Sequence, residues 1–290
     1  MFAGIYVAIP TPFNGGKVDE TALKKHIDFL IENGVDGIVP CGTTGESATL
    51  SYEEHEQVIN TTIEHVNKRV KVIAGTGSNS TSEAIRLTDF ARRAGADGAL
   101  LITPYYNKPN QEGLYLHFKK IAESVDIPIV LYNVPGRTGV NMLPETVARL
   151  SEIENIVAIK EATGNTNVAT EILNLTEGKI TVLSGDDLTF LPLLSVGARG
   201  VISVTANILP AKMKEMFISF VSGDTEKAEK LHREIYPISK ALFIDTNPIP
   251  VKTALWIMGR MKKEFRLPLC PTTPEKEKKL EETLRKGGVI

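Results

Sequence analysis

The feature that most constrains this chain is an eightfold alternation. Short apolar, β-branched runs recur at residues 4–9, 37–40, 71–74, 98–103, 127–132, 156–160, 180–183 and 200–204. Between and after them lie segments of helical periodicity at 21–32, 52–66, 82–94, 111–124, 144–150, 167–175, 188–196 and 211–221. The runs are apolar throughout rather than alternating, as expected of parallel strands covered by helices on one face and by barrel side chains on the other. The pattern predicts an α/β fold, a (β/α)8 TIM barrel. An open doubly wound sheet is the rival architecture. It is weakened because no G-x-G-x-x-G turn follows the first strand, and Gly75-Thr76-Gly77 lacks the third glycine.

A local device supports the same frame. Gly34-Val-Asp-Gly37, Gly95-Ala-Asp-Gly98 and Gly197-Ala-Arg-Gly200 each place one glycine where a helix should stop and another just before a strand. After Gly223 the strand-like runs cease, and residues 224–243, 250–258 and 274–285 read as helices. The expected organisation is a barrel over residues 1–223 followed by a small helical domain over 224–290.

Composition excludes several function classes. With 42% hydrophobic residues and a formal charge of -2, the chain carries no basic excess to neutralise a phosphate backbone, so nucleic acid is not an expected partner. The apolar stretch 2–9 lacks a basic leader and runs into Pro10 and Pro12, so it reads as a strand, and no later run approaches membrane-spanning length. Cys41 and Cys270 lack metal-type spacing and fit reduced thiols in a cytoplasmic protein.

In such a barrel the chemistry sits where strands end, and these ends are unusually polar. Lys160 closes the run Ile156-Val157-Ala158-Ile159, which would put an amine at the top of an apolar barrel. Burial there disfavours the charged form and leaves more neutral amine for attack on a ketone. An ion pair with Glu161 is the alternative, weakened because adjacent strand residues point to opposite sides. Tyr132, Tyr106 and Thr44 are hydroxyls at strand ends and together suit a proton relay, although each tyrosine taken singly reads as a packing residue. Arg137 offers a fork for a carboxylate, or is a solvated loop arginine. Gly42, Gly45 and Gly185 suit either anion-binding backbone turns or simple tight turns. Asp186 and Asp187 have no neighbouring histidine, and Asp187 is a candidate cap for a helix starting at Leu188, so no metal is expected. The histidines His26, His55, His65, His117 and His232 all fall in helical patterns, which argues against a zinc-dependent aldolase or a metal-dependent hydrolase.

These residues carry a resemblance. The chain is similar over essentially its whole length to the dihydrodipicolinate synthase family, within the wider N-acetylneuraminate lyase superfamily. The resemblance rests on GTTGES at 42–47, TPYYNKPNQEGLY at 103–115, YNVPGRTG at 132–139, IKEATG at 159–164, LSGDD at 183–187, GVISVTAN at 200–207 and NPIPVK at 247–252. It implies condensation of pyruvate with L-aspartate 4-semialdehyde in lysine and diaminopimelate biosynthesis, with no cofactor. It further implies that Lys160 forms the imine and that Tyr132 moves protons, with Thr44 and Tyr106 completing the relay. In the family the residue matching Tyr106 reaches in from a neighbouring subunit, so the resemblance implies an oligomer, a tetramer built as a dimer of dimers. Thr43 and Thr44 match the pyruvate-carboxylate site, Gly185 and Ile202 line it, and Arg137 matches the arginine that receives the semialdehyde carboxylate. Family members inhibited by lysine bind it at positions matching Ser47, Ala48, His55, Asn79, Glu83 and Tyr105. Tyr52 departs from the histidine common in inhibited relatives.

Rivals within the superfamily are N-acetylneuraminate lyase and 2-keto-3-deoxy sugar acid aldolases, against which Arg137 and the double threonine count. A barrel turned into a non-catalytic ligand-binding module would be expected to have lost one of the lysine, tyrosine and threonine set, and none is missing.

Overall fold

Strand β1 (Gly4–Ala8) is followed by a small antiparallel hairpin, β2 (Phe13–Asn14) and β3 (Lys17–Val18), and then by β4 (Gly37–Val39), β5 (Lys71–Gly75) and β6 (Gly98–Ile102). Strands β7 (Ile129–Asn133), β8 (Ile156–Glu161), β9 (Thr181–Ser184) and β10 (Gly200–Ser203) complete the set. In this computed structural model, which describes residues 2–290, the order β1-β10-β9-β8-β7-β6-β5-β4 closes into a barrel of parallel strands. The eight expected strands are all present, within a residue or two of their sequence bounds. The β2–β3 hairpin was not foreseen: two residues per strand leave no period to detect.

The helices are α1 (Glu20–Glu32), α2 (Tyr52–Val66), α3 (Thr81–Ala94), α4 (Gln111–Ser124), the one-turn α5 (Pro135–Thr138), α6 (Pro144–Leu150), α7 (Thr166–Leu175), α8 (Phe190–Ser195) and α9 (Pro210–Val221). Helices α10 (Thr225–Ala241), α11 (Ile249–Ile257) and α12 (Pro274–Lys286) follow. None is long and apolar enough to cross a membrane among the described residues.

The chain forms two compact units. One comprises Val72–Ile202 with the residues up to Gly4, and its core joins Leu101, Phe118, Leu131, Ile159, Val182 and Leu193. There α3 packs on α4, α4 on α6 and α6 on α7. The other comprises Ile5–Lys71 and Ser203–Ile290, with a core that includes Ile208, Ile238, Leu242, Leu255, Leu280 and Leu284. In it α1 packs on α2, α9 on α10, and both α10 and α11 on α12.

The repeated glycine device works as expected, and it does more. Gly95 caps α3 with φ 95°, a left-handed conformation that costs other residues energy. A Cβ on Gly200 would collide with the backbone of Gly4, so the second glycine is there for close strand approach. The aspartate between the glycines also has a function. Asp36 Oδ2 accepts from Ile5 N at 2.7 Å, and Asp97 Oδ2 accepts from Val72 N at 2.8 Å. Each carboxylate thereby satisfies a main-chain donor near the start of a strand, where no ladder partner is available.

Candidate active site

In the first unit the site grows from the ends of β7 and β8. Their parallel register sets Tyr132 beside Lys160 and Asn133 beside Glu161. Because successive strand residues face opposite ways, the two pairs lie on opposite faces of the sheet. The Lys160 side chain is buried, and its Nζ lies 4.3 Å from the centre of the Tyr132 ring. Glu161 is not its partner: Oε2 accepts from Asn133 Nδ2 at 3.0 Å and Oε1 from Thr163 N at 2.6 Å. Asn133 is itself fully committed, accepting from Met142 N at 3.0 Å and donating to Asn141 Oδ1 at 2.9 Å. Among the described residues no carboxylate lies at ion-pair distance from Lys160. The ion-pair alternative is therefore set aside.

Beside the amine stands Gly185. A Cβ there would meet Ala162 Cβ at 2.5 Å and Lys160 Cε at 3.1 Å, so the lysine stem occupies space that a side chain would take. Of the loop glycines, Gly45 sits in a tight turn and Gly185 continues the β8–β9 ladder. Gly185 N donates to Glu161 O at 2.7 Å and Gly45 N to Gly42 O at 3.0 Å, so neither N–H is left to cradle an anion. Ile202, on β10, is buried. Arg137 is exposed on the one-turn α5 directly after β7, its own N–H bonded to Val134 O at 2.9 Å. Thr138 of the same turn is buried and accepts from the Thr103 hydroxyl at 3.3 Å, tying the end of β6 to the arginine turn. Tyr106 stands apart from the buried pair, 89% exposed and with φ 72°.

Asp187 does not cap the next helix. That helix begins at Phe190, and the carboxylate in the turn before it is Asp186, which accepts from Leu188 N at 3.3 Å and from the Thr189 hydroxyl at 2.8 Å. The helix begins two residues later than the sequence predicts, with Thr189 at its cap position and no side-chain cap bond, and Asp186 closes the turn that precedes it.

The second unit holds the threonines. They sit on the loop after β4, where Cys41 (φ 55°) and Glu46 (φ 53°) adopt left-handed backbone. Thr43 is half-buried, its carbonyl accepting from Glu46 N at 3.1 Å, and Thr44 is buried, its Oγ1 accepting from Asn247 Nδ2 at 3.0 Å. Glu46 pairs with Lys252, both side chains without exposure. Burial pushes the Lys252 ammonium below its usual range, and the Glu46 charge opposes that shift. Burial likewise pushes the Cys41 thiol up, so this cysteine is protonated and inert.

A family model described as the dihydrodipicolinate synthetase family matches residues 1–287. The chain belongs to that family. It is 60% identical, over the full length of both chains, to a 4-hydroxy-tetrahydrodipicolinate synthase of Thermodesulfovibrio yellowstonii. The crystal structure of a chloride-inhibited dihydrodipicolinate synthase from Acinetobacter baumannii, complexed with pyruvate, superposes with a TM-score of 0.98 at 49% identity, covering 100% of both chains. A dihydrodipicolinate synthase from Cyanidioschyzon merolae with lysine bound matches at TM-score 0.97 and 41% identity, covering 100% of this chain and 99% of that one.

Against the residues expected from this dihydrodipicolinate synthetase family, the first unit brings Lys160, Tyr132 and Gly185 together. It also gathers three of the expected lysine-site residues: Asn79 Nδ2 donates to Tyr105 O at 3.2 Å, and Glu83, on α3, accepts from the Ser78 hydroxyl at 2.8 Å. Ser47, Ala48 and His55 lie in the second unit, with His55 buried. Sequence reasoning missed Asn133, and it considered Glu161 only as an ion-pair partner of Lys160. Their signal was present in the adjacent dyads Tyr-Asn and Lys-Glu, which a parallel register turns into one face of chemistry and one face of support.

Proposed function

We propose that Lys160 forms a Schiff base with pyruvate and that the enamine derived from it condenses with L-aspartate 4-semialdehyde. The activity is that of a 4-hydroxy-tetrahydrodipicolinate synthase, a lyase acting in lysine biosynthesis. The observation that carries the residue assignment is the buried Lys160 amine 4.3 Å from the Tyr132 ring centre, with Glu161 bonded elsewhere. An amine so placed attacks the ketone carbon of pyruvate to give a carbinolamine, which loses water to the imine. The imine acidifies the methyl group, Tyr132 takes the proton, and the enamine carbon bonds to the aldehyde. The substrate's own amine then attacks the imine carbon, closing the ring and releasing Lys160.

The supporting assignments follow the same reading. Thr43, Thr44, Gly185 and Ile202 form the pyruvate site, and the exposed Arg137 receives the semialdehyde carboxylate. Tyr106 completes the relay of a neighbouring copy in a homotetramer, which its near-full exposure supports. Ser47, Ala48, His55, Asn79, Glu83 and Tyr105 form a lysine site, supported by the lysine-bound relative from Cyanidioschyzon merolae. The helical segment from residue 224 is a C-terminal domain, supported by Gly223 at φ 88° and the Asp224 cap of α10. The compartment is the cytoplasm, supported by two free cysteines.

The test is NADPH oxidation with pyruvate and L-aspartate 4-semialdehyde, coupled to the reductase that consumes the product, alongside borohydride trapping. We expect a rate and a trapped pyruvate adduct in the wild type, and neither with Lys160→Ala. An adduct without a rate would redirect the reading to a sugar-acid aldolase, and no adduct would sink the Schiff base. Loss of activity in a lysine titration to millimolar concentrations tests the inhibitory site, and sedimentation velocity tests the tetramer.

A further inference from the structure

The threonine loop is tied to the C-terminal helical segment at successive points. Asn247 Nδ2 donates to Thr44 Oγ1 at 3.0 Å with both side chains buried. Two residues on, Glu46 meets Lys252, which lies five residues after Asn247 at the start of α11. The second Glu46 oxygen accepts from Arg266 N at 3.1 Å, and the Arg266 guanidinium donates to Thr49 O at 3.0 Å. Lys252 Nζ also lies 4.4 Å from the centre of the Phe13 ring and 5.1 Å from that of Phe265, so aromatic faces replace its water.

An ion pair without solvent contact is a weak source of stability, because desolvation offsets the attraction; what it supplies is one fixed geometry. A threonine hydroxyl that accepts from an amide N–H keeps its single proton for another acceptor. We infer that Asn247 is a positioning residue for the reaction: its amide fixes the Thr44 oxygen as an acceptor, so that the hydroxyl proton is presented to the relay. The Glu46–Lys252 pair holds the loop in that register. This rests on Thr44 being a member of the relay.

The experiment compares Asn247→Ala, Asn247→Asp and Thr44→Val, singly and as the Thr44→Val/Asn247→Ala double variant. It reads kcat and the KM for pyruvate separately, the pH profile of kcat, and thermal unfolding. Misdirecting the hydroxyl should lower kcat on the order of a hundredfold in Asn247→Ala while the KM for pyruvate changes little. Asn247→Asp is isosteric, but its carboxylate captures the Thr44 proton instead of donating. It should be at least as impaired, with a shifted pH profile and an unchanged melting temperature. The double variant should be no worse than Thr44→Val, since the two residues act as one unit. Full activity in Thr44→Val would overturn the relay reading and this inference with it. If Thr44→Val is impaired while Asn247→Asp keeps wild-type kcat, or if the losses multiply in the double variant, the inference alone is overturned.

Discussion

At Gly185 a single methyl group separates an occupied site from a crowded one. Gly185→Ala would press on Ala162 and the Lys160 stem, and both contacts are too close to absorb without moving the amine. We expect imine formation to slow on the order of a hundredfold while the protein stays folded. Borohydride trapping timed against circular dichroism checks this, and a wild-type trapping rate would show that the stem has room to spare. Asn133 behaves differently, because its side chain is bonded to Glu161, Asn141 and Met142 N and is buried away from the phenol–amine face. Asn133→Ala should destabilise by about 3 kcal/mol, since it strands a buried carboxylate and a main-chain donor together. Urea unfolding reads that loss directly.

Among the elements, the clearest lesson is in the Gly-x-Asp-Gly turns. Asp97→Ala leaves Val72 N without its acceptor, and about 1–3 kcal/mol should be lost, visible as a lower urea midpoint with unchanged slope. An unchanged midpoint would mean that water replaces the carboxylate. Helix α2 opens on a complete capping box, with Ser51 Oγ accepting from Glu54 N at 3.2 Å and Glu54 accepting from Ser51 N at 3.1 Å. Its bounds were legible from sequence because the cap and the apolar stripe agree. The start of α8 was not, because Asp187 looks like a cap in sequence, whereas the chain after β9 makes a turn closed by Asp186 and enters the helix only at Phe190. The one-turn α5 was likewise hidden: a single turn has no repeat to find, yet it is what carries Arg137.

Across the whole molecule, two buried histidines couple folding to pH. His26, hydrogen-bonded to Asn207 at 2.9 Å, and His117, bonded to Thr81 at 2.9 Å, are both held down to about 4 by burial. Their folded values lie below the unfolded value of 6.5, so the unfolded chain takes up protons first as pH falls. The stability they contribute is complete above about pH 6.5 and is lost progressively toward pH 4, on the order of 2 kcal/mol per histidine by pH 5. The urea midpoint should therefore drop between pH 7.5 and 5, and His26→Gln should flatten part of that slope. A midpoint constant over this range would contradict neutral burial of both rings.

The sequence by itself determined the number of barrel strands, most of the helices between them and the polar strand ends, and it singled out Lys160 as the candidate nucleophile. All of these depend on local periodicity and on which residue closes an apolar run. Tertiary structure alone decided the pairings. Parallel register set Lys160 against Tyr132 and sent Glu161 to Asn133, a choice that side-chain spacing along one strand cannot encode. Chain folding brought Asn247 and Lys252 to the threonine loop across some two hundred residues, 203 and 206 in sequence. Contacts at that separation arise from burial of the whole core, and no local pattern announces them.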